Sequence, residues 1–388
     1  MDAGATPDRE DAPASQPADR ALDPLQAGSG LSWILRHEQT ESGQLRVVFA
    51  LSLPLWRGLR ARQRFGLGLI LTTLLPPALV AVLFQGLDVP TGMPVEWLIV
   101  LLSGGHVFIT GALYLTRGTR ALMSEAKRDF YLVPLVFIAL AALGFAALPH
   151  TGRVFFVAGF SIVTLWHHAR QNVGVYAFLI RAFRLEPMTG FERALLSYGF
   201  LYALFPWLSF LDYPGKSPEL IAQLRQVGWL MLVLNTTLLV SCVLRRGVRG
   251  SLGFQSFTLV MLGLFFSPML LFEHPFVAVT ASAMAHAVQY FYFVYFAHRY
   301  GGVPAEPQPP QSLVRTAVTV ACLVALSLLA AQMNLLHPDY LFARTDGLIY
   351  GAIVGVNCTH FWVDSKIWRS RAEAVRDFHR RAFAVLER

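Results

Sequence analysis

Five histidines lie inside apolar stretches of this chain: His106, the adjacent pair His167 and His168, His286, and His360. Histidine within a bilayer span is costly and points to a site. Neutral imidazole is a ligand for iron, copper and zinc, and in non-haem iron sites it is joined by a carboxylate. Asp364 follows His360 by one helical turn and Asn357 precedes it by one, so the three share a face. Gln171 and Asn172 follow the histidine pair by about a turn. Gln289 and Tyr290 follow His286 at the third and fourth positions, while Ser103 and Thr110 flank His106. His106, His167, His168, His286 and His360 are therefore the candidate metal ligands. Asp364, as ligand or ligand-orienting carboxylate, is a candidate catalytic residue together with Gln171 and Tyr290. Consecutive helical residues point about 100° apart, so His167 and His168 are expected to make different contacts, one binding and the other orienting a substrate or a neighbouring helix.

The elements that must hold these side chains are membrane helices. Of 388 residues, 55% are hydrophobic and only 14% charged, far from soluble-domain averages. Ten runs approach the roughly 20 apolar residues needed to cross a bilayer: 66–87, 96–116, 130–148, 154–176, 194–212, 227–244, 253–272, 276–297, 313–334 and 345–363. The expected fold is an all-α, polytopic integral membrane bundle of about ten transmembrane helices. Residues 1–30 read as a disordered tail, 31–64 as a juxtamembrane interfacial segment, 65–364 as the bundle and 365–388 as a basic amphipathic tail on the inner leaflet. Gly347, Gly351 and Gly355 form a stripe that lets another helix approach the last span closely, on a face away from His360.

Every second loop is basic. Arg57, Arg60, Arg62 and Arg64 precede the first span, Arg117 and Arg120 follow the second, and Arg181 and Arg184 follow the fourth. Arg245 and Arg246 follow the sixth, and Lys366 and Arg369 the last. The positive-inside rule then places both termini in the cytoplasm, in a bacterial-type inner or cell membrane. The histidine-bearing spans all run from outside to inside. His106 falls about 16 Å before Arg117, His168 and His286 about 20 Å before Arg181 and Arg299, and His360 about 9 Å before Lys366. These depths permit convergence in the middle or cytoplasmic half of the membrane.

The net charge of +8 arises at the ends of apolar segments rather than in one patch. It is read as topology and anionic-lipid contact, not nucleic-acid binding. Cys242, Cys322 and Cys358 have no CxxC spacing and indicate neither disulfides nor a zinc finger. No Walker A loop or dinucleotide turn is present, which disfavours nucleotide chemistry. His298 reads as interfacial, His150, His274 and His337 as outer-loop residues, and His37 and His379 carry no site signal.

The expected function is a histidine-rich metalloenzyme using iron, with copper or zinc as alternatives, to transform a membrane lipid or other lipophilic small molecule, with an electron-donor protein as partner. The HxxxH and HxxHH boxes of membrane desaturases and hydroxylases are absent. About one histidine per helix resembles the arrangement of membrane-embedded carotene-cleaving oxygenases, which implies an oxygen-dependent reaction on an apolar chain. The alternatives are a proton- or ion-coupled transporter relaying charge through His and Asp364, a haem protein with axial histidines, and a purely structural hydrogen-bond network.

Overall fold

A computed structural model of the protein describes residues 32–39, 45–52, 60–86, 105–107, 110, 123–211, 215–248, 253–300, 344–368, 376, 379, 383 and 386. The span expected at 313–334, most of that at 96–116, and the 1–30 tail lie outside the described residues. The chain divides into two compact units, Met1–Leu59 and Arg60–Arg388. The first holds an antiparallel hairpin of β1 (Ser32–Gln39) and β2 (Leu45–Ser52), in register from Ser32 opposite Ser52 to Gln39 opposite Leu45. This departs from the all-α expectation within the 31–64 segment. Val47, Val48 and Phe49 suit a strand.

In its described residues, Arg60–Arg388 forms helices joined by turns and short irregular connections. Its elements are α1 (Ala61–Ala81, running into a wider turn at Val82–Gly86), α2 (Val133–Ala147), α3 (His150–Phe183), α4 (Gly190–Tyr198), α5 (Leu201–Phe210), α6 (Pro218–Val248), α7 (Phe254–Gly263), α8 (Pro268–Leu271), α9 (Pro275–Tyr300) and α10 (Arg344–Ile367). Among the described residues, four stretches are long and apolar enough to cross a membrane: Ala61–Phe84, Arg128–Ala147, Pro218–Gly247 and Val277–Val294. Leu74, Leu75 and Leu79 on α1, Leu135, Leu140 and Leu143 on α2, and Leu230, Val233 and Leu234 on α6 are exposed. In water such faces would be a liability, and in a membrane they are the surface that lipid covers. The Val277–Val294 stretch differs from the other three, with 67% of its residues buried, so α9 runs through the middle of the bundle.

Two runs expected as single spans are each broken. The 194–212 run becomes α4 and α5 with a turn at Gly199–Phe200, where a Cβ on Gly199 would lie 3.2 Å from Leu195 O. The 253–272 run becomes α7 and α8, because Pro268 starts a new helix after the turn at 264–267. Backbone groups freed inside an apolar bundle must be served locally. Tyr202 Oη donates to Gly263 O at 3.2 Å and accepts from Phe266 N at 2.9 Å, and Asn235 Nδ2 donates to Gly263 O at 3.0 Å. One turn is thus held by two buried side chains from α5 and α6.

The apolar core falls into two main clusters. One joins Val80, Leu165, Ala169, Tyr202, Phe266, Met269, Ala278 and Ala285. The other joins Phe65, Leu69, Val175, Leu179, Leu196, Leu259, Phe293 and Phe296. Each of three helices carries buried polar residues between the clusters: Thr73 on α1, His167, His168 and Asn172 on α3, and His286 and Gln289 on α9. Phe383 and Leu386 of the C-terminal segment are buried in the second cluster. Two of the tail's apolar residues thus pack on the protein.

The glycine stripe of α10 meets α2. A Cβ on Gly351 would come 2.4 Å from Ala141 O, and one on Gly355 2.5 Å from Ile138 Cα. Gly351→Leu and Gly355→Leu are therefore expected to cost about 1–3 kcal/mol or more, read as a fall in melting temperature in detergent. Gly159 has nothing within 4 Å of its would-be Cβ, so Gly159→Ala should hold or raise that temperature.

Arg246, at the end of α6, clamps the start of α4. Its Nε and Nη2 donate to Glu192 Oε1 and Oε2 at 2.5 and 2.8 Å, and its Nη1 reaches Glu186 Oε2 at 3.2 Å. Glu192 also serves the backbone of Thr189, whose hydroxyl returns a bond to Glu192 N, a reciprocal cap. Burial pushes the Glu192 carboxyl up, but the Arg246 hydrogen bond and the Thr189 backbone outweigh it and hold the group below the ordinary glutamate range. A depressed carboxylate stabilises the fold above its unfolded pKa, and that contribution is lost as pH falls through the folded value. Stability should accordingly be level near neutrality and drop below about pH 4, with a smaller drop in Glu192→Gln. Arg246→Ala strands a buried carboxylate and should cost about 3–5 kcal/mol, measured by thermal unfolding at pH 7.

Candidate metal centre

All five sequence-selected histidines are buried, from His286 at 0% to His167 at 8% exposure. α3 supplies His167 and His168, α9 supplies His286, α10 supplies His360, and a short helical stretch at 105–107 supplies His106. The ring centroid of His106 lies 4.7 Å from that of His286 and 4.9 Å from that of His360, while His167 is 5.1 Å from each. His168 stacks on His286 at 3.9 Å and 25°. The convergence that span direction and depth permitted is thus present in the fold.

The two members of the adjacent pair have different partners. His167 faces α10, with Nε2 3.8 Å from Asp364 Oδ2 and its ring stacked on Phe361 at 4.3 Å. His168 faces α9 through its stack on His286. The 100° step along α3 produces this division.

Ligand atoms fall into two groups, each within 4.8 Å of one another: His106, His286 and His360, and His167, His360 and Asp364. The groups share His360. Its Nδ1 is 2.6 Å from Thr110 Oγ1, which leaves Nε2 as its free ligand atom. One imidazole nitrogen binds one ion, so the two groups describe overlapping parts of a single centre. Among the described residues, His167 Nε2, His168 Nδ1, His360 Nε2 and both ring nitrogens of His286 have no hydrogen-bond partner. Buried polar atoms are nearly always served, and nitrogens gathered this closely could hold a metal ion.

A second ring of polar side chains orients the first. Tyr290 Oη donates to Asp364 Oδ1 at 2.9 Å and lies 3.1 Å from Thr110 Oγ1. With His360 Nε2 as ligand, the ring proton sits on Nδ1 and donates to Thr110. Thr110 then donates to Tyr290, and Tyr290 to Asp364, so each hydroxyl accepts one bond and gives one. Such partners fix a ligand's tautomer and raise its basicity. On the other side, Gln171 Nε2 donates to His286 O at 3.0 Å and to Gln289 Oε1 at 2.9 Å, and Gln289 Nε2 donates to Thr73 Oγ1 at 2.6 Å. Gln171 is thereby engaged in tying α3, α9 and α1 together beside the histidines. Arg170, in the same turn, reaches Ser197 Oγ of α4 at 3.3 Å.

Thr73 escaped the sequence reading, and Thr110 and Gln289 appeared there only as polar neighbours. The adjacent Thr72 and Thr73 within an apolar run are the signal for the first. His379 lies apart from the centre, stacked against Trp368 at 5.8 Å and bonded to Ile367 O. The side chain of His298 lies outside the described residues. Compared with known proteins, the chain matches no family model, no curated protein and no solved structure.

Thr110→Val keeps the shape of the side chain and removes the His360 partner. It is expected to lower metal affinity about 10–100-fold with little change in melting temperature of the metal-free protein, measured by competitive chelator titration.

Proposed function

We propose that the protein is a membrane-embedded metalloenzyme, a non-haem iron oxidoreductase of the oxygenase, hydroxylase or desaturase type that acts on a lipophilic substrate. One observation carries this reading. His167 Nε2 and His360 Nε2, neither with a hydrogen-bond partner, face the same Asp364 oxygen at 3.8 and 3.6 Å. Two imidazole nitrogens facing one carboxylate oxygen beyond hydrogen-bond distance leave room for a cation that all three would ligate. Several imidazoles with one carboxylate suit iron, with copper and zinc as the other candidates.

Iron held there would supply dioxygen activation. The chain's own residues do the rest. Tyr290 and Thr110 hold Asp364 and His360 in place, and the apolar clusters on either side of the polar layer keep water from reactive species. Phe361 and Phe266 present apolar surface beside His167 and His168. Around this centre the chain spans the membrane about ten times, in a bacterial-type inner or cell membrane with both termini in the cytoplasm, and substrate enters laterally from lipid or from the inner surface. An electron-donor protein serves the reaction types that need reducing equivalents.

Detergent-purified protein is expected to hold about one equivalent of a transition metal, consistent with a single mononuclear centre, and to show no Soret band. His286→Ala and His360→Ala should each lose the metal while eluting as the wild type does on size exclusion. Protein that binds no metal after anaerobic reconstitution with Fe(II), Cu(I) or Zn(II) would remove the reading in favour of a transporter or a structural network.

A further inference from the structure

Asn172 belongs to the polar layer, yet neither the histidine centre nor the glutamine chain engages it. It lies on α3 one turn past His168 and on the same face. It is 1% exposed, and among the described residues neither the oxygen nor the nitrogen of its amide has a hydrogen-bond partner. His168, its neighbour along the stripe, has an unserved Nδ1 and stacks on His286. Gln171, adjacent in sequence, makes the contrast plain, because its amide nitrogen donates twice. Two side-by-side amides thus differ completely in how they are served. A buried amide is kept unserved by protein only where water or a ligand serves it.

The chemistry of the amide selects the ligand. Its nitrogen needs an acceptor and its oxygen needs a donor. A hydroxyl provides both through one oxygen, a ketone or ether only accepts, and a hydrocarbon does neither. A carboxylate only accepts, and it would bring a charge into an apolar bundle. We propose that Asn172 binds the hydroxyl group of an otherwise apolar substrate, and so sets which part of that molecule lies at His286 and His360. The proposal deepens the reading above, since it rests on the histidine layer being where a lipophilic substrate binds.

The test uses the full chain in detergent and two radiolabelled probes of equal chain length, octadecan-1-ol and octadecane, with metal content measured on the same samples. A site built to hydrogen-bond a hydroxyl strongly disfavours the analogue lacking it, so the wild type is expected to bind the alcohol at least about 10-fold more tightly than the alkane. Asn172→Leu should abolish that preference and leave metal content unchanged. Should that variant fail to fold, Asn172→Ala is read in the same way. Equal binding of the two probes by the wild type, the result expected if Asn172 holds only a buried water, overturns the proposal, as does a preference that survives removal of the amide. A protein without metal whose hydroxyl preference depends on Asn172 would refute the metal centre and leave the hydroxyl subsite standing.

Discussion

A polar atom buried inside an apolar bundle has no bulk water to fall back on, and leaving it unserved is costly. Most of the polar architecture of this fold follows from that constraint. Where α7 gives way to α8, Tyr202 and Asn235 serve the released backbone. Where Arg246 is buried, Glu192 and Glu186 meet it. Where Thr73 interrupts α1, it bonds back to Leu69 O and accepts from Gln289. Among the described residues, other buried polar atoms without a partner, such as Trp207 Nε1 and Ser256 Oγ, occur singly, whereas the unserved nitrogens of His167, His168, His286 and His360 are gathered in one place.

The arrangement around them is directional. Glutamines and threonine on one side fix the relative positions of α1, α3 and α9, while Thr110, Tyr290 and Asp364 on the other fix the tautomer of His360 and the rotation of the carboxylate. Rigid apolar packing above and below leaves the imidazoles little freedom to find other partners. Tying α10 to α2 through small residues brings backbones close along one face and leaves the opposite face, with His360 and Asp364, turned toward the histidines of α3 and α9. Packing and chemistry use separate sides of the same helix.

Much of this was legible in the sequence. Depth along spans expected to run in the same direction permitted histidines far apart in the chain to meet, and the four-residue glycine repeat predicted a close helix contact on the other face of α10. The i, i+4 spacing placed Asp364 beside His360. Other features were hidden because they depend on contacts between distant segments. Hydropathy alone cannot distinguish a continuous span from two helices joined by a buried turn, as at Gly199 and at 264–267, since the turn residues are equally apolar. Nor could it tell that Gln171 would be occupied, because that depends on His286 O and Gln289 Oε1 of α9 lying within its reach. The hairpin at 32–52 was missed because its mixture of aromatic, aliphatic and basic residues also fits a segment lying along the membrane surface.

The most direct test of the central claim is X-ray absorption spectroscopy at the metal edge of protein reconstituted with Fe(II). The account predicts a first shell of nitrogen and oxygen at about 2.0–2.2 Å, with the outer-shell scattering characteristic of several imidazoles. A spectrum dominated by oxygen, with no imidazole scattering, would show that the ion binds elsewhere and that the clustered histidines are not its ligands.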